Sequence, residues 1–312
     1  LLRRVPARLH PAAVPARAPG RPAPGGTGPR GISLHRPGSL EEACALLAGS
    51  EGRAMVYGGG TAVQILIKEG VLGVRDLVDL ARIPGLGDLV VDEDGIHAGT
   101  MVSIRDMETD PRAARAAPLV ADCYGHVSNP RVRNTASVGG NLAHGDYRLD
   151  PPAALLVLDA EAEVVSVRGT RRIPVRRFFV DFEETALEND EIIVAIHIPA
   201  QPPASGAAYV KLSSLRADDW PAASAAALVT NGDGARSLRL GVGALAPVPL
   251  FQEVDVSGRD LEEAIALAKE EIGPRFDPIP DIRGSAGFKS RLGLVAVEDA
   301  VRRAWVDDAG GR

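Results

Sequence analysis

Residues 56–70, VYGGGTAVQILIKEG, limit the fold of this chain more than any other stretch. A strand-like lead runs through Gly58, Gly59 and Gly60 straight into a helical repeat, with Thr61 expected as N-cap and Gly70 as the stop. That order sets bare backbone N–H groups at a helix N-terminus, where amides and macrodipole both favour negative charge. Glycine suits such a bend because a residue without Cβ lets an anion close to the backbone and tolerates positive φ. The stretch is neither a G-x-G-x-x-G run nor a Walker loop, so taken alone it is read equally well as a structural turn.

A second glycine bend lies in residues 129–160, NPRVRNTASVGGNLAHGDYRLDPPAALLVLDA. Gly139 and Gly140 add donors, Ser137 a hydroxyl and Asn141 an amide that can hold either the loop or a ligand. Two phosphate-type bends in one ordered region suit a pyrophosphate held between two subdomains, and a dinucleotide is its commonest owner. Asp150 precedes Pro151 and Pro152, so it reads first as the N-cap of the Ala/Leu helix, with an acceptor role toward a ribose or ring N–H as the alternative.

Composition narrows the chemistry. The 312-residue chain is 45% hydrophobic with net charge −6 and interspersed signs, which fits small-molecule or protein partners and gives no nucleic-acid footprint. Cys44 and Cys123 stand far apart, and a zinc or iron–sulfur centre needs about four ligands, so both read as core residues. No apolar run approaches the roughly 20 residues that span a bilayer. Residues 1–30 are rich in Pro, Ala, Arg and Gly and lack acids; they read as a disordered or artefactual extension, with a targeting segment as the alternative.

Along the rest, Ser39 and Glu42 suggest a capping box, residues 74–80 and 96–103 short strands, and residues 110–127 one helical stretch. Pro130 and the Gly139–Gly140 pair then read as loop, followed by a helix over 151–160 and strands over 161–169 and 189–199. After the proline-rich link at 199–208, residues 208–216, 221–230 and 236–246 read as three strands, with helices over 259–272 and 285–305. Strands first and helices after predict a small antiparallel sheet covered on one face.

The ordered series VYGGGTAVQILIKEG, NPRVRNTASVGGNLAHGDYRLDPPAALLVLDA, FFVDFEETALENDEIIVAIHIP and YVKLSSLRADDWPAAS resembles the FAD-binding medium subunit of the molybdenum hydroxylases, the xanthine dehydrogenase and aerobic carbon monoxide dehydrogenase family. Residues 281–304, DIRGSAGFKSRLGLVAVEDAVRRA, are similar to the closing helix of that family's C-terminal domain. The resemblance covers roughly residues 30 to 305. It implies an α+β fold: a PCMH-type FAD-binding domain of two α+β subdomains over 31–202, then a smaller C-terminal domain over 203–306 with a three-stranded antiparallel sheet under helices. It assigns Val56, Tyr57, Gly58, Gly59, Gly60, Thr61, Ala62 and Val63 to the first flavin-diphosphate loop, and Ser137, Val138, Gly139, Gly140 and Asn141 to the second. Val127 falls at an adenine-side or loop contact, Asp150 at a cofactor-contacting acid, Ile193 under the isoalloxazine and Lys211 near the ring's polar edge.

The resemblance further implies non-covalent FAD, with the molybdenum cofactor and [2Fe-2S] clusters only on partner subunits, and no catalytic or metal-ligating residue in this chain. It implies an iron–sulfur small subunit and a molybdopterin large subunit, assembled as a dimer of heterotrimers in the cytoplasm. Electrons would reach the flavin from the clusters and leave to NAD, oxygen or a quinone-linked acceptor. A stand-alone flavin reductase or oxidase of the same fold and a non-redox phosphate-binding module are the alternatives. Two departures stand out: Ser137 where Thr is frequent, and Tyr147 and Arg148 within a segment of small residues. His144 beside Asp146 lacks a third ligand, Arg131 and Arg133 read as phosphate contacts or solvated arginines, and Trp220, Phe178 and Phe179 as core or interface residues.

Overall fold

The computed structural model describes residues 31–232 and 235–305, so the extension over 1–30 lies outside the described residues. Three sheets carry the fold, with a two-stranded ribbon beside them.

The first sheet has Asp76–Asp79 at its centre between Ser33–His35 and Ala54–Tyr57, both pairings parallel. Parallel neighbours need crossover connections. Helix Leu40–Gly49 returns the chain between the outer strands and buries Ala43, Cys44 and Leu47 beneath them. Ser39 caps it by accepting from the Glu42 N–H, while the Glu42 carboxylate reaches Gly38 N, one residue before the cap, at 2.8 Å. Helix Thr61–Glu69 makes the second crossover. Its N-cap is Gly60, not Thr61, because the chain turns there with φ of 74°, and Gly70 ends it in the left-handed region as expected.

The second sheet is antiparallel throughout, in the order Leu89–Val91, Gly95–Gly99, Ile192–Pro199, Glu161–Ser166, Gly169–Pro174. Its inner face lines the main core, to which helix Pro151–Val157, buried at every residue, also belongs. The helical stretch over 110–127 divides into Pro111–Ala116 and Pro118–Gly125. Ala117 breaks it at φ −144° and ψ 79°, since the Pro118 ring excludes the α conformation for the residue before it. The loop expected at Pro130 and at Gly139–Gly140 is instead two short helices, Pro130–Arg133 and Val138–Ala143, each with a side-chain N-cap, Asn129 and Ser137.

The third sheet corrects the three-strand expectation. It has four antiparallel strands, Gly206–Leu212, Ala223–Gly232, Ala235–Gly243 and Leu250–Asp255, in sequence order. The fourth was hidden by Pro247 and Pro249 just ahead of it, and an edge position tolerates them. Nor is the sheet covered on one face only. Ala225, Ala227 and Val229 face helices Leu261–Ile272 and Ala286–Ala304, while Ala226 and Leu228 face the core around Pro151–Val157. Period-two alternation therefore divides one alanine-rich strand between two cores. Approach is close on the inner face: a Cβ on Gly241 would lie 2.1 Å from the Ala153 carbonyl oxygen.

Cys44 and Cys123 are buried free thiols, and Phe178 is fully buried in the main core.

A pH-dependent stabilisation arises at Asp110, the N-cap of Pro111–Ala116. Its hydrogen bond from the Arg112 guanidinium, then the N–H groups of Arg112 and Ala113, hold its pKa at about 2 against an ordinary 3.8. A depressed carboxyl pKa stabilises above the unfolded value and loses that stabilisation as pH falls toward the folded one. Asp110→Asn, which keeps a capping oxygen but not the charge, is expected to unfold more easily at neutral pH by about 0.3–1 kcal/mol. The gap between it and the parent, measured by urea denaturation, closes between pH 3.8 and about 2.

Candidate cofactor site

The first bend follows from strand Ala54–Tyr57 entering helix Thr61–Glu69 through three glycines. At Gly60 a Cβ would fall 2.2 Å from Tyr57 Oη, because the tyrosine ring folds back over the bend. Gln64 Nε2 holds that ring with a hydrogen bond to Tyr57 Oη at 3.0 Å. Among the described residues no protein acceptor takes the N–H groups of Gly58, Gly59, Gly60, Thr61, Ala62 or Val63. Six consecutive donors, three of them in the first turn of a nine-residue helix, are left for a ligand or water.

The second bend works differently from the donor cradle expected of it. Val138 N donates to Val102 O at 2.9 Å, Gly139 N to Thr100 O at 3.0 Å, and Asn141 N to Ser137 O at 2.8 Å. Gly140 N goes to Ser137 Oγ at 3.2 Å, the cap of its own short helix. These amides build the bend and are not presented outward. Gly139 is glycine because a Cβ would lie 1.8 Å from Thr100 Oγ1, so its absent side chain concerns the sheet behind it. The Asn141 side chain is half-buried and makes no hydrogen bond to another described residue.

The two bends touch. A Cβ on Gly58 would come 2.9 Å from Ser137 Oγ, and one on Gly59 would come 1.9 Å from Thr135 O and 2.8 Å from Ala136 Cα. Two turns some 80 residues apart in sequence therefore form one mouth. Its chemistry suits a diphosphate: a row of unpaired N–H groups at the positive end of a helix dipole.

The remaining predicted residues lie deeper. Val127 is buried, and its carbonyl accepts from Arg133 Nη1 at 3.2 Å. Arg133 also binds Ser128 O and the Glu108 carboxylate at 2.7 Å, so it fastens this loop and is not free for phosphate. Arg131 is exposed on the same short helix. Ile193 is buried in the main core beside a bulge in strand Ile192–Pro199.

Asp150 does not cap the helix after it; its backbone is already helical and its side chain takes no capping bond. The carboxylate accepts instead from Tyr209 Oη at 2.5 Å and from Lys211 Nζ at 2.9 Å, and Lys211 also donates to His126 O at 2.9 Å. Burial pushes the Asp150 carboxyl up, against the pull of Lys211 and Tyr209, and drives the Tyr209 phenol well above its usual range. Asp150 comes from the second glycine-bearing region and Lys211 from the third sheet, so this buried ion pair joins two parts of the molecule. Tyr209 escaped the sequence reading, although its spacing of two from Lys211 on a strand places both on one face.

Tyr147 is buried against Phe182, and Arg148 lies between it and Trp220, 5.1 and 5.0 Å from the two rings. Asp146 accepts from Arg148 at 2.6 Å, and no hydrogen bond or ion pair joins it to His144 among the described residues. Among the described residues no three His, Cys, Asp or Glu side chains form a metal-binding group.

A paired-bend arrangement of this kind on an α+β scaffold suits a ligand that carries a diphosphate. The family model for the FAD binding domain in molybdopterin dehydrogenase matches residues 30–201. The nicotine 6-hydroxylase medium subunit of Paenarthrobacter nicotinovorans is 33% identical over 90% of this chain and 98% of its own. The carbon monoxide dehydrogenase medium chain of Hydrogenophaga pseudoflava is 29% identical over 89% and 98%. The solved carbon monoxide dehydrogenase of that organism superposes with a TM-score of 0.85 at 29% identity, covering 89% of this chain and 99% of its counterpart. The chain belongs to the FAD-binding-domain family of the molybdopterin dehydrogenases and is an FAD-binding oxidoreductase subunit of the molybdenum hydroxylase type.

Proposed function

We propose that the subunit takes electrons singly from iron–sulfur clusters of a small partner subunit and passes them on to NAD, oxygen or a quinone-linked acceptor. The clusters and a molybdopterin large subunit belong to the partners, in a cytoplasmic complex built as a dimer of heterotrimers. Residues 31–202 form the FAD-binding part and residues 203–306 the C-terminal part. Bound FAD supplies the redox chemistry; the protein supplies position and electrostatics.

One observation carries this reading: the two glycine bends meet in a single mouth whose first wall is a run of free amides. The N–H groups of Gly58 to Val63 bind the diphosphate, Tyr57 folds over the bend, and Asn141 donates from the facing wall. Val127, Asp150, Ile193 and Lys211 act behind that surface, holding the loop and core against which the flavin end rests. Asp150 and Lys211 satisfy each other, so neither is assigned a proton-transfer role.

The absorption spectrum of the purified protein tests the reading, and a colourless protein that takes up no FAD would contradict it. Asn141→Ala should keep the fold and weaken FAD binding by about 10–100-fold, the worth of one hydrogen bond to a charged group. Fluorescence quenching of added FAD measures it, and an unchanged affinity would remove Asn141 from the site.

A further inference from the structure

The outer face of the five-stranded sheet carries a second group of titratable side chains, on the side of the sheet opposite the main core. His97 and His197 are direct cross-strand partners on Gly95–Gly99 and Ile192–Pro199. Their Nδ1 atoms face each other at 2.7 Å. The other nitrogen of each ring faces a carboxylate: His197 Nε2 lies 2.7 Å from Glu163 Oε2, and His97 Nε2 lies 3.4 Å from Asp92 Oδ1. Glu161 and Arg172 complete the charged surroundings, with Arg172 3.7 Å from Glu163 and 3.6 Å from Glu161.

A carboxylate opposite each Nε2 orients the ring so that Nδ1 points toward its partner. The two Nδ1 atoms lie at hydrogen-bond distance, so one donates to the other, and a metal ion would take the place of that shared proton. We propose that His97 and His197 form a two-imidazole site for a divalent first-row transition ion of the zinc, nickel or copper class. Metal–nitrogen bonds of about 2.0–2.1 Å at a tetrahedral angle put the nitrogens about 3.3 Å apart. The rings need part by only a few tenths of an ångström to reach that separation. They stand on a sheet face where their side chains are 33% and 16% exposed, so that movement is open to them. Imidazole donors with outer carboxylates suit these ions and not magnesium or calcium, and copper should bind most tightly. No third His, Cys, Asp or Glu joins in ligating geometry among the described residues, so water fills the remaining positions.

Titrating tag-free protein with Cu²⁺ and Zn²⁺ against a chromogenic chelator tests the site. The protein should bind one equivalent of each and no comparable calcium. His97→Gln and His197→Gln, each checked for fold by circular dichroism, should lose that equivalent. Glu163→Gln should weaken it by about 10–100-fold, as loss of an outer-shell partner does. The Cu²⁺ electron paramagnetic resonance spectrum should show two imidazole nitrogens in the parent and fewer in either histidine variant. Full stoichiometry and affinity in the histidine variants, or no binding by the parent, would overturn the proposal.

Discussion

Gly59→Ala is expected to strip the flavin from the protein. The new Cβ would fall 1.9 Å from the Thr135 carbonyl oxygen and 2.8 Å from Ala136 Cα, both backbone atoms that cannot rotate away. The bends must part by more than an ångström, which breaks the alignment of the first-bend amides with the facing wall. Losing two hydrogen bonds to a charged group at about 1.5 kcal/mol each lowers FAD affinity about 100-fold or more. Overpacking adds a stability loss of about 1–3 kcal/mol. Flavin content after desalting and a urea midpoint measure the two effects separately. Gly49→Ala, at a site where a Cβ meets nothing within 4 Å, is the matched control and should retain its flavin. Full flavin occupancy in Gly59→Ala would show that the contact between the bends does not matter for binding.

Lys211→Met is expected to be the most destabilising single change outside the mouth. Removing one member of a buried, hydrogen-bonded ion pair costs about 3–5 kcal/mol, because the remaining charge is left unpaired. Here that charge is Asp150, whose carboxyl is already pushed up by burial even with Lys211 and Tyr209 pulling it down. Without Lys211 the carboxyl rises further. The folded state then binds the proton more tightly than the unfolded chain, whose value is near 3.8. The sign follows: between that value and the raised one, the variant gains stability as pH falls. Adding Asp150→Asn to Lys211→Met should recover part of the loss at neutral pH, since the new amide oxygen still accepts from Tyr209. Denaturant unfolding of the parent, single and double variants at two pH values measures all of this. Equal stability of parent and Lys211→Met at neutral pH would contradict the buried pair.

The site was legible where local chemistry decides structure. Glycines 58–60 between a strand and a helix leave few options, and Gly70 had to end the helix, as its positive φ shows. The family resemblance, carried by the order of several motifs, set the fold and the cofactor. What a linear reading could not reach were partnerships across the chain. Asp150 looked like an N-cap because Pro151 and Pro152 follow it, yet tertiary contact with Tyr209 and Lys211, some 60 residues on, took its carboxylate. Gly139 looked like a phosphate donor, and its true constraint is Thr100, about 40 residues earlier. The fourth strand of the last sheet was missed because nearby prolines outweigh a short edge strand in local propensity. Local signals name the residue types a site needs; which of them face the ligand is decided by packing.

The central claim is that the amides of Gly58 to Val63, closed in by the second bend, hold the FAD diphosphate. A crystal structure of the FAD complex measures this directly. The account predicts diphosphate oxygens within hydrogen-bond distance of several of those N–H groups, with the Asn141 carboxamide opposite them. A diphosphate bound elsewhere on the molecule, with these six amides facing only water, would contradict it.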